Sequence, residues 1–206
     1  PICFHIDQKS LDEEYINMKS AYERIFTRCG LNFRAVEADS GSIGGDSSHE
    51  FMVLAESGED DILYDDSSNY AANVEKAVSI IELKESDEKK LTKELVKTPH
   101  AKTIEDLANF LNIPKEKTVK AVMLKEVTED GENFVLALIR GDLDVNSIKL
   151  KNAIGAKIEL EMMTPEECER FGLVPGYAGS YEKKDGLKVV IDETVKYVRN
   201  FALGAS

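Results

Sequence analysis

Hydrophobic residues recur at helical spacing near the start of the chain. After Ser10, apolar and aromatic positions follow one another at intervals that keep them on one side of a helix: Leu11, Tyr15, Met18, Tyr22, Ile25 and Phe26. We expect Ser10 to cap this helix and Gly30 to end it. Downstream, the pattern predicts strands on either side of a Gly/Ser-rich loop and then a helix, at residues 32–37, 50–55 and 70–81.

The pattern of hydrophobic and polar residues changes after Pro99. Thr103 and Asp106 resemble a capping box that opens a short helix, and Asp130-Gly131 marks a hairpin turn. The pattern predicts helices at residues 104–111, 145–154 and 165–171, and strands at 118–126, 133–140, 157–161 and 188–191. Because strands and helices do not alternate strictly, the predicted fold class is α+β.

The charged segment 82–97 separates these two parts. Its periodicity is weak, so it is either a linker or a continuation of the preceding helix. We therefore expect three regions: a first domain at residues 1–75, a linker or helical connection at 76–98, and a second domain at 99–206.

Charge is distributed unevenly over a chain whose net charge is −13. Residues 1–75 contain 5 Lys or Arg against 16 Asp or Glu, whereas residues 76–206 contain 21 against 23. The acidic first part is unsuited to a phosphate backbone, so a nucleic-acid contact is expected to be local and to lie in the second part. Three widely spaced cysteines favour reduced thiols without a metal site. Neither a signal peptide nor a membrane role is indicated, so we expect a cytoplasmic protein.

The segment from Phe33 to Asp60, FRAVEADSGSIGGDSSHEFMVLAESGED, is the most distinctive of the first part. On its own, Gly44-Gly45 indicates only a loop that can adopt positive φ or approach a ligand closely, and His49-Glu50 is an ordinary polar pair. Together with FHIDQKSLDEEY before it and SSNYAANVE after it, the segment resembles bacterial prolyl-tRNA synthetases. The resemblance implies part of a class II catalytic core with an antiparallel sheet, and a proline pocket lined by Ser48, His49 and Glu50.

The second part, from about Pro99 onwards, resembles the inserted editing domain of the same synthetases, a mixed α/β fold. The segments that carry this resemblance are KTIEDLANFLNIPKEKTVKAVML, ALIRGDLDVNSIKLKN, VPGYAGS and KVVIDETVKYVRNFALGA. It implies that Lys120 contacts the terminal adenosine of an acylated tRNA, and that the loop from Gly176 to Gly179 presents backbone N–H groups to an ester carbonyl. Without the resemblance, Lys120 is an ordinary strand lysine and the loop a generic turn.

Further site candidates follow from the same resemblance. Tyr177 and Ser180 belong to the glycine loop, where Ser180 replaces the proline usual in the family. Asp192 follows a predicted strand and is either a site residue or a turn former. Arg140 and Asn146, in the segment RGDLDVN, are expected to bind substrate.

The function implied by the resemblance is hydrolysis of mischarged Ala-tRNA(Pro). A proline pocket does not exclude the smaller alanine sterically, so a second, smaller pocket must remove the error afterwards. We expect an attacking water, an oxyanion held by the glycine loop, and no cofactor or metal in this piece. ATP and Mg²⁺ are expected only for proline activation by a full-length enzyme, which the resemblance implies is a homodimer. The expected partners are the 3′ end of tRNA(Pro) and the alanine and proline moieties.

Two alternatives remain open. The chain is expected to be truncated at its C-terminus, which would leave a folded fragment without catalysis. It could also be a freestanding aminoacyl-tRNA deacylase, although the long first part argues against this. Either way, aminoacylation by this chain alone is not expected.

Overall fold

The chain folds as two compact units, residues 1–79 and 80–206. The computed structural model describes residues 3–41, 45, 47–78, 80, 81, 84, 86–179 and 184–205. Gly44 and Ser180 lie outside the described residues. No described helix is both long and apolar enough to cross a membrane.

The first unit consists of one long helix and a four-stranded sheet. Its elements are α1 (Gln8–Arg28), β1 (Phe33–Ala38), β2 (Ser48–Val53), β3 (Ile62–Tyr64) and β4 (Ala71–Asn73). The strand order is β2-β1-β4-β3. The sheet is mixed rather than antiparallel as expected, because β1 and β4 run parallel while the other pairs are antiparallel.

Helix α1 begins three residues earlier than the sequence predicts. Asp7 is the N-cap and its side chain accepts the N–H of Ser10, which lies inside the helix. The predicted end is confirmed, since Gly30 follows the helix with a φ of 70° and its N–H donates to the carbonyl of Thr27. Aromatic rings join the helix to the sheet, with Phe26 and Tyr22 both packing on Phe51.

The predicted helix at residues 70–81 is wrong. Ala71 and Ala72 are buried in strand β4, which pairs with both β1 and β3. Asn73 then makes a turn, because its side-chain oxygen accepts the N–H of Lys76 and its carbonyl accepts the N–H groups of Lys76 and Ala77. Burial between two strands thus overrides the helical propensity of the alanines. Among the described residues of 80–98 there is no helix either.

The second unit is a five-stranded mixed sheet with helices on both faces. Its elements are α2 (Ile104–Leu111), β5 (Thr118–Thr128), β6 (Gly131–Arg140), α3 (Ser147–Ile154), β7 (Leu160–Met162), α4 (Pro165–Arg170), β8 (Leu187–Ile191) and β9 (Ala202–Leu203). Strand order is β7-β5-β6-β8, and β9 pairs with the start of β5. The predicted hairpin is confirmed, with Thr128 opposite Gly131.

Local sequence signals place most of these elements. Thr103 and Asp106 form the predicted capping box, and Thr164 forms another with Glu167. Gly155 ends α3 in the left-handed conformation. The strand predicted at 157–161 is displaced, because Lys157 and Ile158 donate their N–H groups to the buried carboxylate of Glu126 instead of pairing in the ladder.

Strand β6 forms the centre of the core. Its residues from Phe134 to Ile139 are all buried, since both faces of the sheet are covered. On one face Leu136 and Leu138 pack with Leu173 and Cys168, and on the other Ala137 packs with Leu150 of α3. This rigid sheet supports the start of β5 and the neighbouring loops.

Candidate functional site

A large open groove lies at the end of the second unit where β5 begins. It has a volume of about 1630 Å³ and is bounded by α2, the start of β5, the loop at residues 176–178, residues 196–205 and the segment at residues 90–98. Lys120, Gly176 and Tyr177 all line it. The structure therefore brings the predicted adenosine-binding lysine and the predicted glycine loop to the same concave space.

Lys120 projects from the third residue of β5. Its ammonium group is 2.6 Å from a carboxylate oxygen of Asp144, and 24% of the lysine side chain is exposed against 96% of the aspartate side chain. The hydrogen bond from Lys120 lowers the pKa of Asp144. The ammonium is thus held by a carboxylate that is almost fully exposed to solvent.

The glycine loop is held by backbone contact with the chain after β9. A Cβ atom on Gly179 would overlap the carbonyl oxygen of Gly204, and one on Gly204 would overlap the carbonyl oxygens of Tyr177 and Ala178. At Gly176 the φ is +84°, which an L side chain rarely adopts. The loop therefore depends on glycine for its shape and for its approach to Gly204.

The backbone of Tyr177 is hydrogen-bonded within the turn that forms the loop. The backbone N–H of Tyr177 donates to the carbonyl of Val174 at 2.9 Å. The next two residues, Ala178 and Gly179, are buried. This arrangement fixes the direction of the loop backbone beside the groove.

Three other site candidates have structural partners away from the groove lining. Asp192 is the N-cap of a 3₁₀ turn at Glu193–Tyr197 and accepts the N–H of Thr194. Arg140 forms a two-point ion pair with Asp142, which raises the pKa of Arg140 and lowers that of Asp142. Asn146 caps α3 by accepting the N–H groups of two residues of its first turn. Each has a local structural role in this arrangement.

A segment without helix or strand, residues 86–98, forms one wall of the groove and is hereafter called the basic strap. It is attached at Glu88, whose carboxylate lies 2.5 Å from the ammonium of Lys117 and accepts from the amide of Asn200 at 3.1 Å. The side chain of Asn200 also accepts the N–H of Leu91 and donates to the carbonyl of Lys89. Sequence reasoning missed both Glu88 and Asn200.

In the first unit, Ser48, His49 and Glu50 follow one another along β2. Successive strand residues point to opposite faces, so His49 and Glu50 do not face the same space. Nδ1 of His49 is 2.6 Å from the hydroxyl of Tyr15, on the side of α1. Glu50 is exposed and adds to the acidic surroundings that, after burial, raise the pKa of Glu75.

The imidazole of His49 is held in a partly buried position. Its Nε2 lies 3.4 Å from the ammonium of Lys19. Burial, and then the positive charge of Lys19, lower the pKa of His49. At neutral pH the ring is therefore the uncharged form, suited to hydrogen bonding rather than to ion pairing.

Metal-ligating side chains do not cluster in the described parts of either unit. Within residues 3–41, 45, 47–78, 80, 81, 84, 86–179 and 184–205, no group of three or more His, Cys, Asp or Glu side chains could hold a metal ion. Cys168, the buried thiol, lies 3.5 Å from the sulfur of Met123 in the core, where burial raises its pKa.

Comparison with known proteins decides the family. Residues 98–206 match the family model described as the aminoacyl-tRNA editing domain. The chain belongs to the aminoacyl-tRNA editing domain family. The matched region contains β5, the glycine loop and β9, whereas all but the last residue of the basic strap precedes it.

This editing-domain chain is also similar to bacterial proline–tRNA ligases. It is 52% identical to that of Fusobacterium nucleatum subsp. nucleatum over 98% of this chain and 35% of the relative. Identity is 48% to that of Trichlorobacter lovleyi, over 98% and 34%, and 44% to that of Bacillus subtilis, over 98% and 35%. The chain thus spans about a third of the length of these curated relatives, and the resemblance to prolyl-tRNA synthetases noted from its sequence is confirmed.

Proposed function

We propose that this chain hydrolyses the ester of Ala-tRNA(Pro) and so corrects a mischarging error. The observation that carries the proposal is the groove, which is lined by both Lys120 and the glycine loop within the editing-domain region. An acylated 3′ end needs a cation or donor for its adenosine and backbone donors beside its ester. These two features supply that pair of functions.

In the proposed reaction a water oxygen attacks the ester carbonyl carbon. Negative charge develops on the carbonyl oxygen, and loop amides stabilise it. The N–H of Tyr177 is used within its turn and Gly179 does not line the groove, so Gly176 or Ala178 would donate. The bond between the carbonyl carbon and the ribose oxygen then breaks. The water proton passes to that ribose oxygen, which gives free alanine and uncharged tRNA.

The substrate itself would help to activate water. Outside residues 1–79, the sequence contains one histidine, His100, and the described structure does not place it among the residues that line the groove. A neighbouring ribose hydroxyl or a phosphate of the tRNA end would therefore orient the water. Lys120 would hold the adenosine, with Asp144 exchanged for the ligand.

The other predicted residues would act more indirectly. Arg140 and Asn146 would support the turn between β6 and α3 that carries Asp144, through their bonds to Asp142 and to the first turn of α3. Asp192 would hold the turn after β8. Ser180 remains a candidate of the glycine loop.

A deacylation assay tests the proposal. The chain is incubated with Ala-tRNA(Pro) and with Pro-tRNA(Pro), and release of each amino acid is measured. We expect faster loss of alanine than of proline, and a decrease in kcat/KM of about 10-fold or more in Lys120→Ala. Lys188→Ala, an exposed lysine of β8, is the matched control and should retain the wild-type rate.

Two results would contradict the proposal at different levels. If the chain releases alanine no faster than buffer does, the editing function is wrong. If it is active but Lys120→Ala has the wild-type rate, Lys120 has no part in the mechanism.

For a full-length protein we propose the activity of the relatives, proline–tRNA ligation. The first unit would contribute part of a class II core, with Ser48, His49 and Glu50 near the proline. ATP and Mg²⁺ would be needed there, and the described residues hold no group of three or more His, Cys, Asp or Glu side chains that could bind a metal ion. Proline-dependent exchange of pyrophosphate into ATP by a homodimeric full-length protein tests this, and an unchanged KM for proline in His49→Ala would exclude His49.

A further inference from the structure

The groove has a charge opposite to that of the chain, and the basic strap contributes part of it. The net charge of the chain is −13, yet among the described residues that line the groove seven are Lys or Arg and one, Glu94, is acidic. Three of the seven belong to the strap: Lys90, Lys93 and Lys97. The others are Lys102, Lys120, Lys196 and Arg199. Such a concentration of positive charge favours a polyanionic ligand.

The arrangement of the strap lysines fits a chain of phosphates better than a single anion. Lys90 and Lys97 are seven residues apart, so they span at most about 25 Å. Stacked nucleotides advance by roughly 3.4 Å per step along one strand. A segment of that length passes several successive phosphates, and its lysines recur every three or four residues.

The other walls of the groove are suited to bases. Tyr177, Tyr197 and Phe201 line it, and 41% of Phe201 is exposed. Aromatic faces stack on any unpaired base, so they bind single strands with little sequence preference. Cations and aromatic rings lining one groove are the combination by which proteins hold single-stranded nucleic acid.

The strap is fixed in place at one end by polar bonds rather than by core packing. Glu88 and Asn200 hold its first part, whereas Leu91 and Leu95 are 73% and 79% exposed. Both leucines line the groove beside the strap lysines, so the strap offers apolar as well as cationic contacts to a ligand.

We propose that the basic strap binds the phosphates of the unpaired nucleotides that precede the terminal adenosine of an RNA 3′ end. The inference rests on the proposed function, which places that adenosine at Lys120. It adds a second subsite, outside almost all of the region matched by the family model, that provides affinity without sequence readout. The ligand class is single-stranded RNA.

The test compares a short and a long probe on the 206-residue chain. The short probe is 3′-alanylamido-adenosine without phosphates, and the long probe is a five-nucleotide RNA ending in the same group. The variant is Lys90→Gln/Lys93→Gln/Lys97→Gln. Its matched control is Lys9→Gln/Lys76→Gln/Lys151→Gln, which changes the net charge equally at lysines outside the groove lining.

For the wild type and the control we expect the long probe to bind more tightly, with a steep dependence on salt. For the strap variant, binding of the long probe should weaken roughly 10-fold at 0.1 M salt, and the slope of log Kd against log salt should fall by about 0.7 for each phosphate that the strap no longer neutralises. Binding of the short probe should stay within about two-fold, since it has no phosphate. The triple Lys→Arg variant should bind the long probe as the wild type does.

Three outcomes would overturn the inference. If the strap variant and its control bind the long probe equally, the strap has no role. If a polyglutamate peptide displaces the RNA as well as unlabelled RNA does, the groove attracts charge without selecting RNA. If the long probe binds no more tightly than the short probe, there is no second subsite, although binding of the short probe and deacylation would still support the proposed function. Failure of both probes and of deacylation would remove the proposed function as well.

Discussion

The two walls of the groove are built in different ways. The backbone of the glycine loop contacts the backbone of Gly204, and neither Gly179 nor Gly204 has room for a side chain. The basic strap is attached through side chains, chiefly Glu88 and Asn200, and its leucines remain exposed. If the proposed function is right, the first wall would hold the ester within a narrow geometry, whereas the second would adjust to the flexible RNA end. The proposed catalytic contacts and the proposed binding contacts would then lie on different walls of one groove.

If the glycine loop is held more rigidly than the basic strap, adding one methyl group where the loop meets Gly204 should reduce deacylation most. In Gly204→Ala the new Cβ would overlap the carbonyl oxygens of Tyr177 and Ala178, which cannot yield without moving the loop. We expect deacylation to fall by about 100-fold, since a shift near 1 Å can cost that much. The free energy of unfolding should fall by about 1–3 kcal/mol.

Rates of alanine release and urea unfolding check this expectation. Gly58→Ala is the control, because a Cβ there would meet its nearest atom at 4.0 Å. A fully active, stable Gly204→Ala variant would show that the loop is not rigidly held.

Removing the side chain of Asn200, which holds the basic strap, should impair deacylation less. Asn200 has a φ of 58°. Glycine adopts such a positive φ readily, so Asn200→Gly removes the side chain without straining the backbone. We expect KM for Ala-tRNA(Pro) to rise by roughly 3- to 10-fold with kcat nearly unchanged, because the strap then holds the RNA less well. Steady-state deacylation measures both constants.

Asn112→Gly is the control for that change, since Asn112 also has a positive φ, of 51°, but ends α2 instead of anchoring the strap. A decrease in kcat alone in Asn200→Gly would contradict the idea that the strap serves binding only.

A still smaller effect is expected at Asp144. In Asp144→Asn the ion pair with Lys120 is removed, so the ammonium no longer has to exchange a carboxylate for the ligand. Because exposed ion pairs are weak, binding of 3′-alanylamido-adenosine should tighten by only about two- to three-fold. Titration calorimetry of the variant and of Asp130→Asn, a turn aspartate in the hairpin, measures the difference. Weaker binding by Asp144→Asn would mean that Asp144 orients Lys120 for the ligand.

The smallest effect should be a local change in the basic strap when the pH is lowered. The hydrogen bond from Lys117, and a further one from Asn200, lower the pKa of Glu88 below its usual 4.5. A lowered pKa means that this carboxylate stabilises the folded strap above about pH 4.5 and loses that contribution as pH falls through its folded value. The amide resonance of Leu91, which donates to Asn200, should therefore shift below about pH 4.5 before the loop resonances do.

In Glu88→Gln that shift of the Leu91 resonance should be absent. If the amides of Gly176 to Gly179 shift at the same pH as Leu91, the two walls are not independent.

Sequence reasoning found local features and missed the anchor of the strap for a physical reason. Capping by Thr103 and the turn at Asp130-Gly131 are local signals that neighbouring residues specify, whereas the role of the glycine loop came from the family resemblance. The anchor of the strap joins Glu88 to Lys117 and Leu91 to Asn200, which are 29 and 109 residues apart. Nothing in the periodicity of residues 82–97 reveals those partners, and that periodicity supports only a linker or a continued helix.

The error at residues 70–81 has a related cause. Alanine favours helices, but Ala71 and Ala72 are enclosed between β1 and β3, and small side chains fit there. Strand pairing between distant segments is decided by packing that a window of sequence does not contain. The positions of Lys120 and Tyr177 on the same groove depended on the resemblance, since their separation along the chain carries no such signal.

The pairing of β9 with the beginning of β5 has a consequence for biosynthesis. Thr118 and Val119 leave the ribosome long before Ala202 and Leu203, the residues that complete their sheet edge. Contacts between distant segments form late, so this part of the groove, which Val119, Ala202 and Leu203 line, would be assembled only after most of the unit has been translated. The groove would therefore take its final form only on a core that has already folded.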